Sequence, residues 1–294
     1  MEQQVDHASD WEKLTLLTVL AHPDDETFGT GGTLAYYASK GVNVHLVCDT
    51  RGEVGEMPPD MMAGFSSIAE VREHELRCAS ETLGLCDVCF LDYRDSGMPG
   101  SVDNTHPRAL AAQPVEEVAA RVVSHIRRLK PQVVITFDPI GGYYHPDHIA
   151  IHNATVLAFD LAARQDYVDP ENLPPHQAQR LFFQIIPRGY LRAGIFLWRL
   201  TGHNPRKFGK NKDIDMVSIA EINYPIHARI DYANVVDIRA KASACHASQG
   251  GKEQARGIQK WLQKAFRSTE LFMQAYPVPS NRKIAADLFV GIKP

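Results

Sequence analysis

Short, leucine-rich and β-branched runs alternate along this chain with longer stretches of helical periodicity. That alternation restricts the fold more than any other feature of the sequence. Apolar runs at 14–20, 42–48, 88–91 and 133–137 read as strands. Helical patterns follow at 28–40, 67–84, 114–129 and 146–163. Gly41 and Gly84 stand where two of these helices should stop, Ser67 with Glu70 makes a capping box, and Pro114 suits a first helical turn. Strand, helix and strand in repetition require crossover connections, which pair strands in parallel. The expectation is an α/β, Rossmann-like, mainly parallel sheet with helices on both faces, forming one domain over 1–294. The regularity fades after about 165. Residues 165–215 read as an insertion, with a basic tip at 206–212 that is a solvated loop or a lid. Two further helices are expected at 233–249 and 253–268, and a last strand at 288–292.

Composition removes several classes of function. A formal charge of −4 gives no electrostatic case for a nucleic-acid or anionic-membrane partner. The first fourteen residues are polar and acidic, unlike a secretory leader. The most membrane-like stretch, 190–200, is short and interrupted by Arg192 and Arg199, so no span is expected and a cytoplasmic setting is. The apolar residues of 181–186 and 190–200 fit either a core or a subunit interface, which leaves a homo-oligomer open. Five cysteines, an odd number, argue against a disulfide framework, and Cys86 and Cys89 read as buried, inert thiols.

The chemistry is concentrated in two clusters. Ala21-His22-Pro23-Asp24-Asp25-Glu26 directly follows the first strand, and His145-Pro146-Asp147-His148 follows the strand at 133–137 after a short loop. Ligands of open parallel sheets bind outside the carboxyl ends of the strands, and both clusters fall there. Two histidines and a carboxylate suit a catalytic zinc that keeps one position open. His22 and Asp25, three apart in a turn, can face one ion, with His148 arriving from the other strand end. Asp24, His145 and Asp147 remain as a candidate base, electrophile and orienting group. A blander account has Asp25 and His145 simply capping helices. The coincidence of both clusters at equivalent strand ends weighs against it.

AHPDDETFGTGG, with GGYYHPDHIAIH much later, resembles the PIG-L/LmbE family of metal-dependent N-acetylglucosaminyl deacetylases. The likeness covers about 14–160 and returns near 241–249. It implies His22, Asp25 and His148 as metal ligands and Asp24 as general base. It implies His145 and Tyr143 at the oxyanion, and Asp147 steadying a histidine. Arg72 and Asp95 match sugar-contacting positions, although Arg72 also fits a surface ion pair with Glu75 and Asp95 a turn. The implied cofactor is zinc, with ferrous iron compatible. The implied substrate is a small amino sugar or glycoconjugate carrying an N-acetyl group. An amidase for larger thiol conjugates, a sugar- or nucleotide-binding module and a phosphoesterase are the competing readings. Glu53 is expected on the pocket floor. His152 divides between a place near the site and packing on the sheet, and His246 between approaching the site and capping a helix. The glycines at 29–32 break the dinucleotide-binding spacing and read instead as room for close approach.

Overall fold

The computed structural model describes residues 10–186, 188–208, 212, 214–251 and 268–292. Seven strands form one sheet in the order β3-β2-β1-β4-β5-β7-β6. They are β1 (Thr15–Leu20), β2 (Asn43–Cys48), β3 (Asp87–Phe90), β4 (Val133–Phe137), β5 (Arg180–Ile185), β6 (Ala228–Asp231) and β7 (Thr269–Tyr276). The first five are parallel, and β7 and β6 add antiparallel to that edge. The expected mainly parallel sheet is therefore present.

Nine helices are described: α1 (Asp25–Phe28), α2 (Gly31–Ser39), α3 (Ile68–Leu83), α4 (Val115–Leu129), α5 (Gly141–Tyr144), α6 (Pro146–Ala163), α7 (Arg188–Leu200), α8 (Met216–Glu221) and α9 (Val236–Cys245). Alternating residues of β1 feed opposite sides of the sheet. Leu17 and Val19 pack with Val122 of α4 and Ile151 of α6, while Leu16 packs with Leu34 and Tyr37 of α2. A central strand buried on both faces needs such an unbroken apolar run. Strand order reverses between β1 and β4, a topological switch point at which a crevice opens. The two His/Asp clusters flank it.

Several expectations are corrected. The stretch 165–215 is not a simple insertion, because β5 lies inside the sheet between β4 and β7. The residues before β5 are also pinned. The buried Arg127 guanidinium donates to the carbonyls of Ala162, Arg164, Tyr167 and Leu173. The helix expected at 28–40 is split into α1 and α2. The run 288–292 forms turns rather than a strand, and Leu288, Phe289 and Ile292 plug the core beside Tyr37. β6 and β7 were not anticipated. Most of the helix expected at 253–268 lies outside the described residues. Cys78 of α3 and Cys245 of α9 form a disulfide across 167 residues, a pairing that spacing cannot reveal. Cys86 is exposed rather than buried, because β3 is the sheet edge. Among the described residues no helix is long and apolar enough to cross a membrane.

Candidate metal centre and active site

The turn after β1 folds tightly over the sheet end. The Asp25 carboxylate accepts the His22 backbone N–H at 2.8 Å, which holds both side chains toward one point. Asp24, the residue before α1, has φ +121°, a strained conformation for a non-glycine residue. Its N–H donates to Glu26, whose other carboxylate oxygen lies 2.6 Å from His246 Nε2, with both side chains fully buried. His246 therefore braces the turn from the far end of the chain.

The loop after β4 is shaped by Asp138, which accepts the N–H groups of Ile140 and Gly142. A Cβ on Gly141, at φ +61°, would lie 2.5 Å from the His148 Cβ, so only glycine allows this loop to lie on α6. The same approach brings the Gly141 carbonyl 3.1 Å from His148 Nδ1.

Three donors converge at the switch point. His22 Nδ1 is 3.2 Å from His148 Nε2, and Asp25 oxygens lie 3.5 Å from the first and 3.4 Å from the second. Donors about 2.0–2.1 Å from a tetrahedral ion stand about 3.3–3.4 Å apart, so this triangle has the size zinc requires. The hydrogen-bond network assigns the protons. His148 Nδ1 faces the Gly141 carbonyl and His22 Nε2 faces Asp147 Oδ2 at 3.1 Å, so each of these nitrogens donates. With both imidazoles neutral, the nitrogens facing each other are lone pairs beside a carboxylate, an arrangement that a cation satisfies.

The electrostatics set the charge of each donor. Burial holds the His148 imidazole down to about 4 despite Asp25, so it is a neutral donor. Burial opposes charge on His22, but Asp95, Asp147 and Asp25 outweigh it and raise its pKa well above normal. Burial would lift the Asp25 carboxyl, yet His148 and His22 hold it below the ordinary range. The carboxylates thus favour positive charge at the His22 end, as a proton without a cation and as the cation when one binds, and only the second leaves Nδ1 a lone pair.

The other expected residues surround this triangle. Asp147, fully buried, accepts the Ser96 N–H at 2.9 Å as well as the His22 contact. The neighbouring histidine it steadies is therefore His22. Asp95 lies 3.5 Å from His22 Nε2, and its backbone N–H donates to Glu53, which holds this loop rather than flooring a pocket. His145 both caps α6, accepting the Asp147 N–H on Nδ1, and stacks near His22 and His148. The bland and functional accounts of this residue hold together, because the cap leaves Nε2 as the protonated nitrogen. Burial, then His22 and His148, push its pKa down to about 2, so it is a neutral N–H donor. The Tyr143 ring lies 5.0 Å from that of His148 and 5.9 Å from that of His145. Burial, then Asp25, raise its phenol pKa, so the hydroxyl keeps its proton.

Arg72 is 4% exposed and makes no surface pair. It donates to the carbonyls of Gly52 and Pro23 and lies 3.2 Å from Asp24 Oδ2. A Cβ on Gly52 would fall 2.0 Å from Arg72 Nη1, so the glycine admits the guanidinium. Glu75, the partner considered for Arg72, instead binds Ser248. Burial raises Asp24 to about 7, with Arg72 pulling down and Asp25 pushing up. That is the range a general base needs at neutral pH. His152 is taken up elsewhere, against the Phe137 carbonyl and the Phe183 ring.

A cavity of about 360 Å³ opens on the other side of the donors, lined by Asp25, His148 and Tyr143 together with Phe137, Gln184 and Leu271. Glu26, Asp138 and Gln184 were missed as contributors. Glu26 stands inside the first cluster, whereas nothing local marks the other two.

An open α/β sheet carries a two-histidine, one-carboxylate donor set at its switch point, a set whose chemistry fits a divalent cation. Residues 17–159 match the family PIG-L, described as GlcNAc-PI de-N-acetylase. The 1D-myo-inositol 2-acetamido-2-deoxy-alpha-D-glucopyranoside deacetylase of Acidothermus cellulolyticus is 39% identical over 299 residues, covering 95% of this chain and 95% of that protein. The chain belongs to the PIG-L family, and it is a deacetylase. Among solved structures, N,N'-diacetylchitobiose deacetylase from Pyrococcus horikoshii superposes with TM-score 0.59 at 18% identity, over 91% of this chain and 87% of that one. GalB, the 4-carboxy-2-hydroxymuconate hydratase from Pseudomonas putida, superposes with TM-score 0.59 at 19% identity, over 91% and 98%. A hydratase on the same fold shows that the fold alone does not set the reaction.

Proposed function

We propose that this chain is a zinc-dependent deacetylase that removes the N-acetyl group of a glucosamine joined to a polyol such as inositol. The observation that carries the reading is the triangle of His22, Asp25 and His148, whose three facing atoms converge while the other imidazole nitrogens are held by Asp147 and the Gly141 carbonyl. When bound there, a divalent cation supplies Lewis-acid polarisation and acidifies water. Asp24 takes the proton of the attacking water and passes it to the departing nitrogen. His145 donates through Nε2–H to the oxygen on which negative charge develops, and the Tyr143 hydroxyl adds a second donor. Asp147 and Asp95 hold His22 in its donor orientation. Arg72 tunes Asp24, a different role from direct sugar contact. The identity of the acetylated sugar is supported by the name of the Acidothermus relative.

The size of the cavity favours a second reading, an amidase for larger conjugates, within the same machinery. One experiment tests the first reading: elemental analysis beside amine release from an inositol-linked N-acetylglucosamine. About one zinc per chain is expected in the wild type, with both metal and activity lost in His148→Ala. Asp24→Asn should keep its metal and lose about 10²–10⁴-fold in rate, as removal of a general base does. Full activity in metal-loaded Asp24→Asn would sink the assignment. Turnover of bulky conjugates alone would establish the amidase.

A further inference from the structure

Two apolar faces run along α7. At about 100° per residue, Leu191, Ile195 and Trp198 fall on one side of the helix. Leu191 and Ile195 are buried against Ile219 and Ala220 of α8, with Tyr143 packed beside them. Ala193, Phe196, Leu197 and Leu200 fall on the opposite side. Phe196, Leu197 and Leu200 are 62%, 61% and 67% exposed, and none of them joins a hydrophobic cluster of the described residues. A surface helix of a globular domain needs one apolar stripe, and the second has no role in this core.

The charges around that face point to its occupant. Arg192 and Arg199, seven residues apart on one flank, are exposed, and among the described residues no carboxylate pairs with them. Residues 185–212 contain seven Lys and Arg and no Asp or Glu, on a chain whose net charge is −4. Arg206 pairs with Asp215, just beyond this stretch. A helix with outward Phe and Leu and flanking arginines matches an interfacial helix, whose apolar face sinks about 5–10 Å into the headgroup boundary. A second copy meeting α7 antiparallel about a two-fold axis would bring two arginine rows together, so the charge pattern disfavours that dimer.

Position supplies the last observation. The helix leaves the carboxyl end of β5, on the side of the sheet where the donors lie, and the exposed Ile186 just before it lines the cavity. We infer that the outward face of α7 docks the protein on an anionic lipid bilayer and brings the cavity mouth to the interface.

Vesicle flotation tests this, using the whole chain with phosphatidylcholine vesicles that contain or lack phosphatidylglycerol. Binding is expected only with phosphatidylglycerol and should weaken as salt rises. The triple variant Phe196→Ser, Leu197→Ser, Leu200→Ser should bind roughly tenfold or more weakly. Arg192→Gln with Arg199→Gln should weaken binding by roughly tenfold as well. Both should release amine from a soluble substrate at the wild-type rate, which shows that they fold. No binding of wild type to the anionic vesicles overturns the inference, as does equal binding by the triple variant. A wild-type dimer that the triple variant converts to monomer would assign the face to a second copy instead.

Discussion

The two sides of the donor triangle are built on opposite principles. Toward β2 and β3 the site is closed and polar. Arg72, Asp95 and Asp147 are nearly or wholly buried, and each is fixed by backbone partners. Toward β5 and β7 it is open and largely apolar, with Phe137, Ile185 and Leu271 around free space. Charge is controlled on the first side, where low exposure makes each carboxylate and guanidinium count. Shape is controlled on the second, where apolar walls accept groups of different size. Arg72 and Asp95, which match sugar-contacting positions, are committed to Asp24 and His22 instead, and the open wall is left with the free space.

Substitutions on the closed side should produce the larger effects. Asp147→Asn removes the charge opposite His22 Nε2, and loss of such a partner costs about 10–100-fold in metal affinity or activity. Metal titration of the purified variant measures it, and unchanged affinity would break the comparison at its strongest point. Arg72→Met should act through pH. Arg72 lowers the Asp24 pKa, so its removal raises that pKa above its value of about 7. Asp24 works as the carboxylate, so the acid limb of kcat/KM moves to higher pH. A limb that stays in place, with KM alone raised, would return Arg72 to sugar contact. On the open side Gln184→Leu should leave metal content and pH profile untouched and change KM by about two- to tenfold, the range of one hydrogen bond. A loss of metal in that variant would show that the two sides are not separable.

Legibility follows the same division. The first four strands and α3, α4 and α6 stand within a residue or two of where periodicity placed them, because a central parallel sheet imposes unbroken apolar runs and regular crossovers. His22, Asp24, Asp25, His145, Asp147 and His148 were legible because they lie in two compact clusters at strand ends. The pairing of Arg72 with Asp24 was not, since both a helix-surface pair and an inward reach fit the spacing. β7 was hidden for a different reason. It runs antiparallel between β5 and β6, and its burial is neither continuous nor alternating, so no sequence period marks it as a strand.

By itself the sequence determined the parallel core and the two His/Asp clusters at its switch point, because each depends on short-range order in the chain. Tertiary structure alone decided which partners those clusters have. His246 reaches Glu26 across 220 residues, the Cys78–Cys245 disulfide joins α3 to α9, and Gly141 closes on His148. Such contacts arise when distant segments pack together, and local periodicity carries no record of which segments will meet.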